Sequence, residues 1–271
     1  MTAVGKKTAV KKAPSPSTAK NAPAQKAPAA KKAPAGKAAA PAATAAPAPV
    51  KKAGFQAGLE SVWELRLAET AAALTKRGYE VSIAADAKTA GELVLRKILP
   101  ESKAHSVAFG GSMTVMGTGL YDALKKTKGL EVFDTNDMSN GPAAMIEMRR
   151  KALNCDFYLC SVNALTRTGV AILLDGIGNR GASVQFGPLK VVLLVGRNKI
   201  CDDVESGIER IRTIAAPANT IRLGKKTPCT KTGYCMDCSS PDRICSAWTI
   251  LERSAPKGRI HVVLINEEIG F

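Results

Sequence analysis

Between residues 79 and 265 the chain alternates short apolar runs with longer stretches whose apolar residues recur at helical spacing. This alternation constrains the fold more than any other feature. A strand followed by a helix and another strand buries both elements only when the strands run parallel and the helices cover the sheet. Strands are expected at 79–84, 107–109, 130–133, 156–161, 170–174, 191–195 and 259–265. Helices are expected at 59–76, 87–99, 114–126, 141–153 and 202–215. In the first of these, Leu59, Val62, Leu65, Leu67, Ala68, Ala72 and Leu74 form the apolar side, and Gly78 follows Lys76 and Arg77 as a stop. Pro100 is expected to close the second helix and Pro217 to stop the last. The fold class expected is α/β: an open, mostly parallel sheet with helices on both faces.

The pattern does not begin at residue 1. Residues 1–53 hold eleven lysines and eight of the fifteen prolines, with no Asp, Glu, Arg or aromatic residue. Such a segment buries too little apolar surface to offset its ordering entropy, and its prolines interrupt any helix. It is expected to be a disordered Ala/Pro/Lys-rich tail, either a solubilising spacer or a contact for polyanions. The domain proper is then 54–271, with 28 basic and 23 acidic residues, enough length for a substantial core and only a mild positive balance. No secretory h-region follows the first lysines, the segment lacks the arginines of a transit peptide, and no 18-residue apolar run occurs. A cytoplasmic protein without a membrane span is expected.

Several turns at strand ends carry ligand-type chemistry. Phe109-Gly110-Gly111-Ser112-Met113-Thr114 joins a strand to a helix. Its glycines permit close backbone approach, and Ser112 or Thr114 can cap the helix and bond an anion. The alternative is a tight turn with a serine cap. It is neither a Walker loop nor a full dinucleotide fingerprint. Asn163 and Thr166 follow a strand end, where open α/β sheets bind ligands. Asp175-Gly176-Ile177-Gly178-Asn179-Arg180 is read as a turn between apolar segments, and Asp175, Gly178, Asn179 and Arg180 are candidate contacts for a carboxylate or phosphate. The alternative for Asp175 and Arg180 is a salt bridge across the turn. Lys199 is either an anion contact or a solvated loop lysine.

Seven cysteines fall into two groups. Cys155, Cys160 and Cys201 sit in or beside apolar segments and are expected to be packing residues. Cys229, Cys235, Cys238 and Cys245 follow a C-x5-C-x2-C-x6-C spacing within loop 228–245. In a reducing compartment, four such thiols suit a tetrahedral centre: an iron-sulfur cluster, or alternatively zinc. Free or redox-active thiols are the remaining reading. The two histidines, His105 and His261, are expected to be structural, and no Ser-His-Asp set is assembled from them. Glu147 carries no mark of a nucleophile, and the catalytic residues are unknown.

Eight blocks occur in one order: Ala108–Ser112, Ser161–Thr166, Asp175–Arg180, Gly187-Pro188, Val195–Ile200, Ala215–Asn219, Pro228–Cys245 and Gly258–Val262. Together they resemble the lactate-utilization (LUD) domain family, once catalogued as a domain of unknown function, over roughly residues 56–271. The resemblance implies a fold of the NagB/RpiA/CoA-transferase group. It also implies a link to a multi-subunit iron-sulfur system that oxidises L-lactate to pyruvate, with iron-sulfur subunits as partners and a small carboxylate as ligand. A metal is not implied by the family alone, since some members lack the cysteines. Two functions follow: a subunit or accessory of the lactate-oxidising system, or a stand-alone enzyme of the CoA-transferase or sugar-phosphate isomerase type. A nucleic-acid-associated role rests on the tail only.

Overall fold

A computed structural model describes residues 54–137, 139 and 141–271. The expectations for the 1–53 tail lie outside the described residues. Six strands pair in parallel to make the main sheet: β1 Glu80–Ala84, β2 Ser106–Phe109, β3 Glu131–Phe133, β4 Phe157–Cys160, β7 Lys190–Gly196 and β10 Ile260–Ile265. Their order across the sheet is β1-β10-β7-β4-β2-β3. The central strands are apolar along most of their length because both faces are covered. Val191, Leu193 and Val195 of β7 pack on one side with Leu67 and Leu74 of helix α1 (Phe55–Lys76) and Val184 of α7 (Asn179–Gln185). Val192 and Leu194 pack on the other with Ala90 of α2 (Ala87–Leu93), Val115 of α4 (Met113–Gly117) and Leu120 of α5 (Leu120–Lys125). The two-residue period of the strand thus divides one apolar run between two cores.

A second sheet, unforeseen in the sequence, lies over the first of these faces. Its order is β8-β5-β6-β9, from β5 Ala164–Thr166, β6 Ala171–Asp175, β8 Ile200–Cys201 and β9 Ala247–Leu251. β6, expected in the parallel sheet, runs antiparallel to both β5 and β9. Ala171 and Leu173 join the core against the main sheet, while Ile172 and Leu174 pack with Ile211 and Ala216. Those last residues belong to the helical stretch that includes α8 (Val204–Arg210) and α9 (Ala216–Arg222).

Both prolines expected to end helices are carried inside them. A wide, π-type turn at Val94–Ile98 precedes α3 (Leu99–Ser102, with Pro100), and another at Ile211–Ala215 precedes α9 with Pro217. A proline clashes with the carbonyl four residues before it. Those carbonyls, on Arg96 and Thr213, fall within the widened turns, so the chain stays helical. The helix expected at 114–126 is broken between α4 and α5, where Gly119 takes φ 74°. In α1 the apolar side holds only in part: Leu67 and Leu74 are buried, but Leu59, Val62 and Leu65 are exposed. Two further short helices complete the description, α6 (Gly141–Lys151) and α10 (Cys229–Thr232). No helix among the described residues is long and apolar enough to cross a membrane.

Candidate functional site

The strand order changes direction beside β2: β3 lies on one side of it and β4 on the other. A parallel sheet leaves a crevice outside the carboxyl ends of its strands at such a point. Here a cleft of about 650 Å³ opens there. Its walls include Gly111 and Ser112 after β2, Thr135 and Asn136 after β3, Ser161 and Val162 after β4, and Lys199 after β7.

Of the ten residues singled out from sequence, seven line this cleft: Gly111, Ser112, Asn163, Asp175, Asn179, Arg180 and Lys199. Ser112 caps α4, its hydroxyl accepting from the Val115 amide at 3.2 Å. Gly110, Thr166 and Gly178 do not line it. Gly110 is packed so closely that a Cβ there would lie 2.7 Å from Cys160 Cβ and 3.0 Å from Arg180 Cγ. Thr166 is buried, and its hydroxyl meets Thr168 and the Val170 amide inside the β5–β6 turn. Gly178 is the N-cap of α7 and takes φ 79°; the stretch read as a turn between strands is thus the start of a helix.

Asp175 and Arg180 are buried and paired. Arg180 Nε donates to Asp175 Oδ1 at 2.9 Å, and the Gly181 amide donates to Asp175 Oδ2 at 2.7 Å. The rest of the guanidinium donates to the Ser161 and Leu174 carbonyls and to Asn163 Oδ1. The pair therefore ties β4, β6 and α7 together beneath the cleft.

Lys199 has a different environment. It is 3% exposed, and none of the ion pairs among the described residues involves it. Its Nζ donates to Thr114 Oγ1 at 2.8 Å, Ser161 Oγ at 2.9 Å and the Val162 carbonyl at 3.3 Å. Burial, reinforced by the positive charges of Arg210 and Arg180, brings its pKa down to about 7. The closing segment of the chain lies against it. Asn198 holds that segment by donating to the Gly270 carbonyl at 3.0 Å and accepting from the Ile269 amide at 3.2 Å. Gly270 takes φ 70°, and a Cβ there would come 3.2 Å from Lys199 Nζ and clash with Thr114 Oγ1.

The electrostatics of the cleft come largely from residues that sequence reasoning missed. Arg149, Arg222, Lys225 and Arg243 line it with Arg180 and Lys199, against one acidic side chain, the already paired Asp175. Basic residues on helices and loops carry no mark in a sequence of which ones converge. A model of a protein family described as the LUD domain matches residues 67–265. The chain belongs to the LUD domain family.

Among solved structures, this LUD domain is similar to a DUF162 family protein from Deinococcus radiodurans, at 16% identity and a TM-score of 0.43, covering 76% of this chain and 98% of that one. It is also similar to eIF2B delta from Chaetomium thermophilum, at 16% identity and a TM-score of 0.29, covering 56% and 55%. No curated protein matches it.

The cysteine loop of the LUD domain borders the same cleft, through Arg243 and Ile244. Arg243 holds the loop's shape by donating to the carbonyls of Cys238 and Cys245 and to Asp237. All four thiols are free and partly exposed. Cys229 Sγ lies 3.1 Å from Thr227 Oγ1 and 3.2 Å from Thr220 Oγ1. Burial pushes the Cys245 thiol pKa up; Arg243 opposes this, and Cys235, Cys238 and Cys229 add to it. Even so, among the described residues no three His, Cys, Asp or Glu side chains converge closely enough to hold a metal ion. In this arrangement the thiols do not form a ligand set. Of the remaining cysteines, Cys155 and Cys160 are buried, and burial lifts each pKa to about 12; Cys201 is partly exposed in β8.

His261 does meet a serine and a carboxylate. It lies 2.9 Å from Ser82 Oγ through Nε2 and 3.2 Å from Glu80 Oε2 through Nδ1. These residues sit within β1 and β10, and Lys190 Nζ also holds Glu80. Ser82 and His261 line neither the cationic cleft nor the smaller cleft beside Glu80 and Lys103.

Proposed function

We propose that this LUD-domain protein takes part in L-lactate utilization, as a subunit of or accessory to an iron-sulfur system oxidising lactate to pyruvate, and that it holds a small carboxylate in the cationic cleft. The observation that carries the binding part is the imbalance of charge: six basic side chains line the cleft, and its one acidic side chain, Asp175, offsets only Arg180. Such a cleft with partly desolvated walls concentrates anions. Family membership supports the pathway part. An iron-sulfur cluster, or zinc, at Cys229, Cys235, Cys238 and Cys245 is the cofactor part of the proposal. No chemical step is assigned to a metal.

The test is calorimetry of the full chain with L-lactate and pyruvate, alongside growth of a deletion strain on L-lactate. Binding together with a growth defect supports the reading. Normal growth removes the pathway role, and absent binding removes the carboxylate site. Iron, sulfide and zinc analysis after anaerobic purification tests the cofactor separately; a metal-free preparation rejects it.

A second reading has a specific observation in its favour. Beyond the paired Arg180 and Arg243 and the buried Lys199, the cleft still offers Arg149, Arg222 and Lys225, more than a monocarboxylate requires, and these suit a ligand with several negative charges. A phosphorylated sugar or a coenzyme A thioester, handled by a stand-alone transferase or isomerase, fits that excess.

A further inference from the structure

We propose that Lys199 is a nucleophile that captures the carbonyl group of a small α-keto acid as an imine within the cationic cleft. This rests on the carboxylate-binding reading above and assigns its central lysine a chemical role.

Three geometric features meet at the Lys199 amine. It lies at the carboxyl ends of parallel strands and forms part of the cleft wall. Two hydroxyls, Thr114 Oγ1 and Ser161 Oγ, stand at 2.8 and 2.9 Å, placed to relay protons during addition and loss of water. The charged groups acting on it are the guanidiniums of Arg180 and Arg210, with the Cys160 thiol the other titratable neighbour. A lysine that is desolvated and set beside other cations supports a neutral, nucleophilic amine near neutral pH. Arg149 and Arg222 line the same cleft and add positive charge that draws a carboxylate ligand into it.

The chemistry balances without an oxidant or reductant. The amine nitrogen adds to the ketone carbon, and the carbonyl oxygen becomes a hydroxyl by taking up a proton. That hydroxyl then leaves as water, and a C=N bond replaces C=O. One water is released for each imine formed, and hydrolysis reverses the sequence. The competing account is a structural ammonium whose three N–H groups serve Thr114, Ser161 and the Val162 carbonyl.

Reductive trapping separates the two. The full chain is incubated with pyruvate and sodium cyanoborohydride, which reduces an imine to a stable secondary amine, and then peptide-mapped by mass spectrometry. The expected result is one dominant adduct on Lys199, forming faster as pH rises through about 7. L-Lactate, which has no keto group to capture, slows trapping and leaves no adduct. Lys199→Arg keeps a basic side chain without a nucleophilic amine and loses the adduct. Pyruvate binding by calorimetry without an adduct on Lys199 overturns the imine and leaves the carboxylate site standing. Absence of both binding and adduct overturns both readings. Label spread over surface lysines, equally in wild type and Lys199→Arg, also overturns the imine. If Lys199→Arg fails to fold, the wild-type peptide map decides alone.

Discussion

Asp175 and Lys199 line the same cleft, but the costs of changing them differ in kind. Asp175→Asn leaves the buried Arg180 without its counter-charge and weakens the contact to the Gly181 amide. Breaking a buried ion pair from one side costs about 3–5 kcal/mol. Urea unfolding should show a loss of that order, and a loss below ~1 kcal/mol would mean that the pair does not organise α7. For Lys199 the expectation concerns pH. Its pKa is about 7 in the folded protein, against 10.5 ordinarily. Between those values the unfolded chain binds the proton and the folded one does not, so stability rises with pH across that window. Unfolding free energies measured at pH 7 and 10 should differ more in wild type than in Lys199→Met. These residues also show how far the sequence was legible at this scale. Aspartate and arginine five positions apart allowed a salt bridge to be foreseen as one of two readings. The burial of Lys199 was not legible, because part of its cover, around Gly270, comes from a segment some seventy residues away.

Helix α7 begins where a turn between apolar segments was expected, and the reason lies in one torsion angle. Gly178 takes φ 79° at the N-cap, and Asn179 and Arg180 follow in the first turn. A Cβ at Gly178 meets only Ala247 Cβ, at 3.6 Å, so space is available and the backbone angle is the obstacle. Gly178→Ala should therefore cost about 1–2 kcal/mol, the left-handed penalty of an ordinary residue. Denaturant unfolding checks the cost, and an unchanged midpoint would show that the cap tolerates a side chain. The main-sheet strands were readable because each is a short, mostly apolar run, and most of the helices were readable from their period. Strands β5, β8 and β9 were not. They span two to five residues, and β9 pairs with β6 across more than seventy positions of sequence. Local pattern holds no information about such partners. Pro100 and Pro217 misled for a related reason: a proline's clash reads as a stop unless the turn before it can widen.

At the scale of the whole molecule, the cationic cleft is assembled from α6, α7, α9, the turn after β7, and the cysteine loop. Its charge is a tertiary property. The domain balance of 28 basic to 23 acidic residues gives no hint that six basic side chains and a single acidic one line the same cleft. Charge convergence also separates the two readings of the ligand. A monocarboxylate can engage one or two cations, whereas a phosphorylated ligand draws on the whole wall. Removing two cations from the rim, through Arg222→Gln with Lys225→Gln, should then cost a phosphorylated ligand about tenfold in Kd, or ~1.4 kcal/mol. A monocarboxylate held near Lys199 should lose less than about threefold. Salt provides the parallel test. Between roughly 0.01 M and 1 M the screening length falls from ~30 Å to ~3 Å, so the affinity for a polyanion should collapse while that for a monocarboxylate declines gently. Calorimetry with pyruvate and with a sugar phosphate, on wild type and double variant at both salt concentrations, measures all of these differences. If the rim variant weakens both ligands equally, the rim acts only as a general field, and the excess of cations gives no reason to prefer a phosphorylated ligand over a carboxylate.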